Sequence, residues 1–518
     1  MDIVIFGTEK RADEAYAIIS CLDGYNVVAF SDNDERRWNK KKNGLDIISP
    51  KDIKCRYAMA TVVIASAYFC EIGMQLSENG LVPLGGYLDS VDQMIGKLSD
   101  DERTALSDKV LRNTDFINLE YKEIEFTDIC SETGKPYLVI CHNGYRTNDD
   151  PRCSFVHRRL LQYQKQGIDI EVFGFVQESS LEIYEYQGVK VYQGGITELQ
   201  KLLMAKKYEK LLIHFISKEI MYAIWKAGKT ELPMIVWCHG YEVMPWTRCW
   251  FNFTSEDIKL NKTHMDKSDA ERRKFLRSCF EKENIHFVFV SRWQRNRVRK
   301  YIGMLPKNHS LIHNFIDCEF YEAPDKRAQD RLCILSVKKH VNRTYANDLT
   351  AKAIMELSEK SYFTQLKFEL YGDGELFEEN FGELMRQNFP NVHIHKKLLS
   401  QNEMKDLFKE NGVFLSPTRM DCHEVTASEA MAAGMAVVTC NIGPMREFMD
   451  EECASLFEAD NYFMMAEEIE YLYMHPEEFL QMGRNAAKRA KQQCGYEATI
   501  KREIELILEA YEGGEDKL

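Results

Sequence analysis

Residues 413–433 read VFLSPTRMDCHEVTASEAMAA. An apolar run at 413–415 enters a Ser-Pro-Thr turn, and a short polar loop follows with Asp421, His423 and Glu424. A helix is predicted to open around Thr426 with Glu429 in its first turn. Strand, loop and helix N-terminus in this order are how an α/β domain receives a phosphorylated ligand, because free backbone N–H groups and the positive end of the helix dipole face the anion. A carboxylate early in the helix is placed to hold a pair of ribose hydroxyls. The stretch therefore points to an enzyme that handles a nucleotide-linked substrate.

The same alternation extends outward. A run of strands and helices begins near Arg331 with LCILSV and passes through KFELYGDG, NVHIHKKL and AVVTC. An earlier run holds PYLVICHNGY, DIEVFGF, KLLIHFI, MIVWCHG and IHFVFVS, with helical stretches between the strands. Alternation at this spacing predicts βαβ units and parallel sheets. Two successive doubly wound domains imply a cleft between them, with ligands at the carboxyl ends of the strands. Between MIVWCHG and IHFVFVS lies a less regular insertion, residues 246–280.

A third, smaller unit of this kind stands at the front. DIVIFGT, a helix over 12–22, NVVAFSDND and TVVIASAYF read as a Rossmann-like domain. Its first turn, Gly7-Thr8-Glu9-Lys10-Arg11, keeps one glycine where a dinucleotide fingerprint has three, and Glu9 would oppose a pyrophosphate. Ligand binding and a scaffold role both stay open for it. Asp32-Asn33-Asp34 has the form of a metal-binding DxD, but an acidic residue ending the second strand is ordinary in this fold. The expected boundaries are 1–100 for this domain, 101–130 for a charged helical linker, 131–325 and 326–495 for the two larger domains, and 496–518 for a final helix and tail. That last helix has apolar residues at helical spacing and is expected to pack across a domain boundary.

Composition narrows the class. The 518 residues exceed single-domain size, and 45% hydrophobic with 29% charged residues is ordinary for a soluble chain. A formal net charge of −14 argues against non-specific nucleic-acid binding. The 15 cysteines are scattered singly, mostly in apolar runs, and read as small core residues of a reducing compartment. No apolar run reaches the roughly 18 residues of a membrane span. The expectation is a cytoplasmic protein that could touch the inner face of a membrane.

With cleft and motif placed, the last 390 or so residues resemble the two-domain GT-B glycosyltransferases, and among them the retaining, nucleotide-sugar-dependent enzymes usually called family 4. The family's two glutamates separated by seven residues correspond to Asp421 and Glu429, followed by Ala430-Met431-Ala432-Ala433-Gly434. Its Arg-x4-Lys clamp corresponds to Lys338 and Arg343 with the residue types exchanged, and its Gly-x-Gly strand end to Gly372-Asp373-Gly374. Asn314-Phe315-Ile316-Asp317, Asn441-Ile442-Gly443-Pro444 with Glu447, Cys141-His142-Asn143-Gly144 and His239 within WCHGYE fall in the family's order.

The resemblance implies a metal-independent hexosyl transfer from a UDP- or GDP-linked sugar to a glycan, glycolipid or glycoprotein acceptor, in polysaccharide or cell-envelope biosynthesis. No cofactor is implied beyond the nucleotide sugar. Lys338 and Arg343 would neutralise the departing diphosphate, helped by backbone amides of the loop through His423, Glu424, Val425 and Thr426. Glu429 would hold the ribose, Asp421 the donor sugar, and His239 would lie on the sugar face near the reacting carbon. Gly372, Gly374 and Gly144 would shape the donor turns.

Two departures stand out. Asp421 is a methylene shorter than the family's glutamate, and Glu424 puts a carboxylate where a glycine is usual, beside the diphosphate path. That carboxylate must turn away or pair with a cation or a hydroxyl. The alternatives are a degenerate GT-B protein acting as a nucleotide-sugar-binding or scaffolding partner, and a GT-B sugar-nucleotide epimerase. His142, His157 and His214 are read as structural before functional, and His393 with His395 lacks a third metal ligand. Trp246, Trp250, Phe251 and Phe253 around Arg248 are a packed insertion, an acceptor platform or a membrane-contact patch.

Overall fold

The computed structural model describes residues 1–66, 68–81, 86–91, 94, 136–145, 153–176 and 181–509. The linker expected over 101–130 lies outside the described residues. Twenty strands make three sheets among those described. β1 (Asp2–Phe6), β2 (Asn26–Ser31), β3 (Lys41–Lys42), β4 (Leu45–Ile48), β5 (Thr61–Ile64) and β6 (Tyr87–Leu88) pair in the order β3-β4-β2-β1-β5-β6. This sheet belongs to one compact unit of the chain, and the other two sheets to a second.

The second sheet holds β7 (Tyr137–His142), β8 (Ile170–Phe175), β9 (Glu182–Tyr186), β10 (Val189–Gly194), β11 (Leu211–His214), β12 (Met234–Cys238), β13 (Ile285–Phe289) and β14 (Asn308–Leu311). Their order is β14-β13-β12-β11-β7-β8-β10-β9. The third holds β15 (Cys333–Val337), β16 (Lys367–Gly372), β17 (Val392–Lys396), β18 (Val413–Ser416), β19 (Ala436–Cys440) and β20 (Ala454–Phe457), ordered β17-β16-β15-β18-β19-β20. All pairings are parallel except β3 with β4 and the hairpin β9 with β10, which the sequence pattern did not reveal.

The runs LLIH, MIVWC and AVVTC are buried at every position, as strands covered by helices on both faces must be. Chain direction along each sheet reverses once in the middle, between β7 and β11 in the second and between β15 and β18 in the third. The carboxyl ends of such strand pairs leave a crevice, since the following loops run in opposite directions. Lys338 directly follows β15, and the loop 417–424 follows β18, so both stand at the reversal of the third sheet.

Three local expectations change. The insertion is mostly one helix, Ser255–Phe280, of 26 residues. Thr254 caps it by accepting from the Asp257 N–H while Asp257 accepts from the Thr254 N–H. Its mixed charges hid its length, because only Asp269, Leu276, Cys279 and Phe280 are buried and no apolar stripe runs its whole length. In the decisive motif the helix runs Val425–Ala432, so Glu429 sits in its second turn, not its first. The last described helix is Ile500–Leu508, shorter than the pattern suggests, and it returns to the second sheet: Ile500 and Ile507 share a core with Val139, Val172 and Trp237.

That return is fixed by a buried carboxylate. Glu503 accepts from Arg159 Nε at 3.1 Å and Trp237 Nε1 at 3.0 Å, and from the Tyr163 hydroxyl at 2.5 Å. Neither side chain of the Arg159–Glu503 pair is exposed. Replacing one partner leaves the other charged and dry, which costs about 3–5 kcal/mol. Glu503→Ala is expected to lower stability by that amount, read as an earlier denaturant midpoint by tryptophan fluorescence, whereas Lys501→Ala on the exposed face shifts it little.

Candidate functional site

The site is built on the reversal of the third sheet. Gly372 ends β16 so close to the next strand's loop that a Cβ would lie 2.0 Å from the Lys338 carbonyl oxygen. Gly374, at φ +144°, would place one 2.5 Å from the His340 carbonyl carbon. The two glycines therefore let the segment 338–341 cross over the strand end. In this structure their role is backbone approach.

The next segment, carrying Arg343 to Tyr345, is clamped from the other side of the reversal. Arg419 donates bidentately to Asp348 at 2.9 Å on each arm and also to the Arg343 carbonyl at 2.9 Å, and Thr418 Oγ1 donates to the Thr344 carbonyl at 3.1 Å. Arg419 was not singled out by sequence, since its motif position carries no recurring pattern of its own. The Arg343 guanidinium meets Glu379 at 2.8 Å on the surface, with side chains 40% and 54% exposed. Such a pair is worth about 1 kcal/mol or less and is readily exchanged for an incoming anion.

Lys338 is engaged differently. Its ammonium forms a buried ion pair with Glu424, and the same carboxylate accepts from the Ser416 hydroxyl. The Thr439 hydroxyl lies 3.5 Å from the second Glu424 oxygen and donates to the Ser416 carbonyl at 2.7 Å. Burial lowers the Lys338 pKa to about 8, with Asp421 opposing that shift. The residue expected to oppose the diphosphate has thus turned inward to the cation expected to hold it.

The loop between is nucleated by Asp421. Its Oδ1 accepts from the N–H groups of Cys422 at 2.7 Å and His423 at 3.1 Å. Val425 and Thr426 are half-buried in the first helical turn. His423 does not face a ligand space: its Nδ1 accepts from the Asn314 N–H at 3.1 Å, Nε2 lies 3.1 Å from Ser428 Oγ, and the ring stacks on Phe448 at 3.8 Å. Desolvation keeps this imidazole neutral. The imidazole therefore serves the core, and what His423 offers to the loop's outer side is its backbone. Glu429 is buried, and burial raises its pKa to about 7. Beside it lies the buried Tyr321 hydroxyl, which works against the burial by favouring the carboxylate.

The second sheet brings its strand ends to the same place. His239 follows β12 and lies 3.0 Å from Nδ1 of buried His214 through Nε2. Its backbone N–H and that of Gly240 are held by the two oxygens of Glu242. Desolvation pushes the pKa of both histidines well below the usual value, so the pair is neutral at physiological pH. Phe215 has φ 63°, uncommon for a bulky residue, and its ring centroid lies 4.4 Å from that of His239. Gly144, at φ +81°, donates to the Phe175 carbonyl at 2.9 Å, closing the turn after β7.

The two halves touch here. A Cβ on Gly240 would be 3.1 Å from Cys422 Sγ. Asn252 Oδ1 accepts from the Arg343 N–H at 2.9 Å, and Glu447 accepts from the N–H groups of Arg292 and Trp293 at 2.7 and 3.1 Å, capping the helix Arg292–Ile302 of the other half. Asp421, Lys338, Arg343 and His239 are thus drawn to one junction, with Glu429 one helical turn deeper. A separate cavity of about 290 Å³ borders Ala432–Gly434, the opposite end of the helix Val425–Ala432, and plays no part in this arrangement. Among the described residues no three metal-ligating side chains cluster, and in the front sheet Arg37 ties Glu9 and Asp32 together across the shortened turn.

Residues 332–475 match the family model of glycosyl transferases group 1, and residues 1–82 match the model C2185-like, N-terminal. No curated protein matches the chain in sequence. In structure it is similar to sucrose-phosphate synthase from Thermosynechococcus elongatus, at 13% identity over 72% of this chain and 98% of that one, with a TM-score of 0.57. It is also similar to TarM from S. aureus solved with fondaparinux, α-GlcNAc-glycerol and UDP (12%, 72% and 100%, 0.53). HepE from Anabaena in complex with UDP gives 11%, 72% and 99%, and 0.51. The fold is GT-B, two Rossmann-like domains with an extra sheet domain in front, and residues 332–475 carry a group 1 glycosyltransferase domain.

The crossing at Gly374 yields a test. Gly374→Ala forces a side chain into the backbone of His340 in a conformation that favours glycine, and is expected to cost about 1–3 kcal/mol. Far-UV circular dichroism should stay native while the melting temperature falls; an unchanged melting temperature would contradict the close approach.

Proposed function

We propose that the protein is a retaining glycosyltransferase that moves a hexose-type sugar from a nucleotide-diphosphate donor, UDP- or GDP-linked, to a glycan, glycolipid or glycoprotein acceptor. The observation that carries this reading is the junction itself: Asp421, Lys338 and Arg343 at the reversal of the third sheet meet His239 at a strand end of the second, with Glu429 buried just behind. In transfer, the bond from the anomeric carbon to the diphosphate oxygen breaks and one to an acceptor oxygen forms. The acceptor proton goes to the leaving phosphate. His239, neutral and held by His214, suits a hydrogen bond to the donor sugar and not a cationic contact. Cationic side chains and the amides at the start of the helix Val425–Ala432 can meet the diphosphate charge without a metal.

Acceptor class and location belong to the same proposal. UDP in the structures of TarM and HepE supports a nucleotide-sugar donor. No helix among the described residues is long and apolar enough to cross a membrane. Trp250 and Leu260 are 61% and 72% exposed, and Leu260 lies between Lys259 and Lys262 of the helix Ser255–Phe280, which supports a lipid-linked acceptor met at the cytoplasmic membrane surface.

Two measurements test the reading. A thermal-shift screen of nucleotide sugars, followed by assay of nucleoside-diphosphate release with and without acceptor, should find a stabilising donor whose turnover rises with acceptor. Glu429→Ala should then reduce turnover about a hundredfold or more. A donor that binds without turnover would favour the scaffolding alternative, and sugar inversion without acceptor the epimerase.

The buried Glu429 also sets a pH dependence. Its pKa is raised from 4.5 to about 7, so the folded chain holds this proton more tightly than the unfolded one. That contribution to stability is full below about 4.5 and is lost as pH rises through about 7. Ribose hydroxyls need the carboxylate as acceptor, so donor affinity should increase as pH passes upward through this window. Calorimetric titration at several pH values checks this, and Glu429→Gln should flatten the profile.

A further inference from the structure

Counting charge at the junction shows a deficit where a diphosphate would need cations. Lys338 is paired with Glu424 in a buried position, and that pair is reinforced by Ser416. Arg343 faces the surface toward Glu379. Of the other cations where the halves meet, Arg158 is paired with Asp317 and donates to Gln401. Arg248 lies in the 3-10 segment Trp246–Asn252, directly after the His239 loop.

Its position is fixed by a missing side chain. Gly240 has φ +146°, and a Cβ there would fall 2.9 Å from Arg248 Nη1 as well as 3.1 Å from Cys422 Sγ. The guanidinium therefore lies over Gly240 against the loop that carries Asp421. Tyr345 connects it to the cationic end of the other half: its hydroxyl responds to both Asp421 and Arg248, and Lys338 Nζ lies 5.9 Å from its ring centroid. Arg248 has no carboxylate within ion-pairing distance among the described residues. The nearest in sequence, Glu242, is committed to the amides of His239 and Gly240. The field of Arg248 reaches the buried Glu242, but that carboxylate is spent on two amides and forms no direct ion pair with it, so the half-buried guanidinium keeps donors for an anion.

We propose that Arg248, supplied by the acceptor-side half, binds the donor diphosphate and takes over the charge that Lys338 gives to Glu424. The inference rests on the glycosyl-transfer reading above and adds a donor-binding residue to it. The diphosphate is then gripped by Arg343 from one half and Arg248 from the other. Placed on the β-phosphate, the guanidinium would distinguish a diphosphate from a monophosphate, which lacks that group.

The test compares nucleoside di- and monophosphates by calorimetry on the full chain, using UDP with UMP and GDP with GMP. Wild type should prefer the diphosphate. Arg248→Gln should lose about tenfold to a hundredfold in diphosphate affinity, the size of one charge-assisted contact, with monophosphate affinity nearly unchanged. Arg248→Lys should recover part of the loss, and melting curves verify that each variant folds. If Arg248→Gln keeps the wild-type preference while Arg343→Gln abolishes it, the inference is overturned although the glycosyltransferase reading stands. If wild type binds none of the four nucleotides, both fall together.

Discussion

The Glu503 carboxylate holds the two-sheet unit together. It arrives on the last described helix, after the chain has completed the third sheet, and is buried against Arg159, Tyr163 and Trp237 of the second. A dry carboxylate is tolerated only with a cation and donors on its lone pairs, so the helix has one acceptable seat. The network continues in both directions. Trp237 stacks on His214, which meets His239, while Arg159 donates to Asn314, whose N–H reaches His423 in the loop of the third sheet. Seating one helix thus orients candidate site residues in both halves.

Within the junction the backbone is held more tightly than the side chains suggest. Glycines at 240, 372 and 374 let segments cross at distances no Cβ would permit, and Arg419 and Glu242 fix the crossing loops by their carbonyls and amides. Such a frame presents its amides to a ligand with little reorganisation, which is how a site stabilises developing charge. The Lys338–Glu424 pair is the notable exchange. A glycine at 424 would leave the lysine available, whereas a glutamate there needs a partner once buried and finds it in the nearest cation.

Much of this was legible in the chain. The apolar runs MIVWC and AVVTC could only be strands covered on both faces, and VFLSPTRMDCHEVTASEAMAA placed a loop and helix at a strand end. Lys338, Arg343 and Asp421 stand at the reversal of the third sheet, and His239 stands at the carboxyl end of β12, one strand from the reversal of the second. The seat of the His423 ring was not legible, because a histidine in a polar loop reads the same whether it points out or stacks on Phe448, and that ring lies 25 residues further on. The full length of the helix Ser255–Phe280 was hidden by charges on nearly every face, and Arg419 by the absence of any periodic signal.

By itself the sequence determined the alternation of elements, the parallel sheets and the types of group available for chemistry, because periodicity and turn residues act over a few positions. Only the tertiary structure decided which charges oppose each other. Whether Glu424 faces a ligand or Lys338, whether Arg248 has a counter-ion, and where the last helix is seated all depend on contacts across tens to hundreds of residues. Their outcome turns on desolvation, which local pattern does not encode.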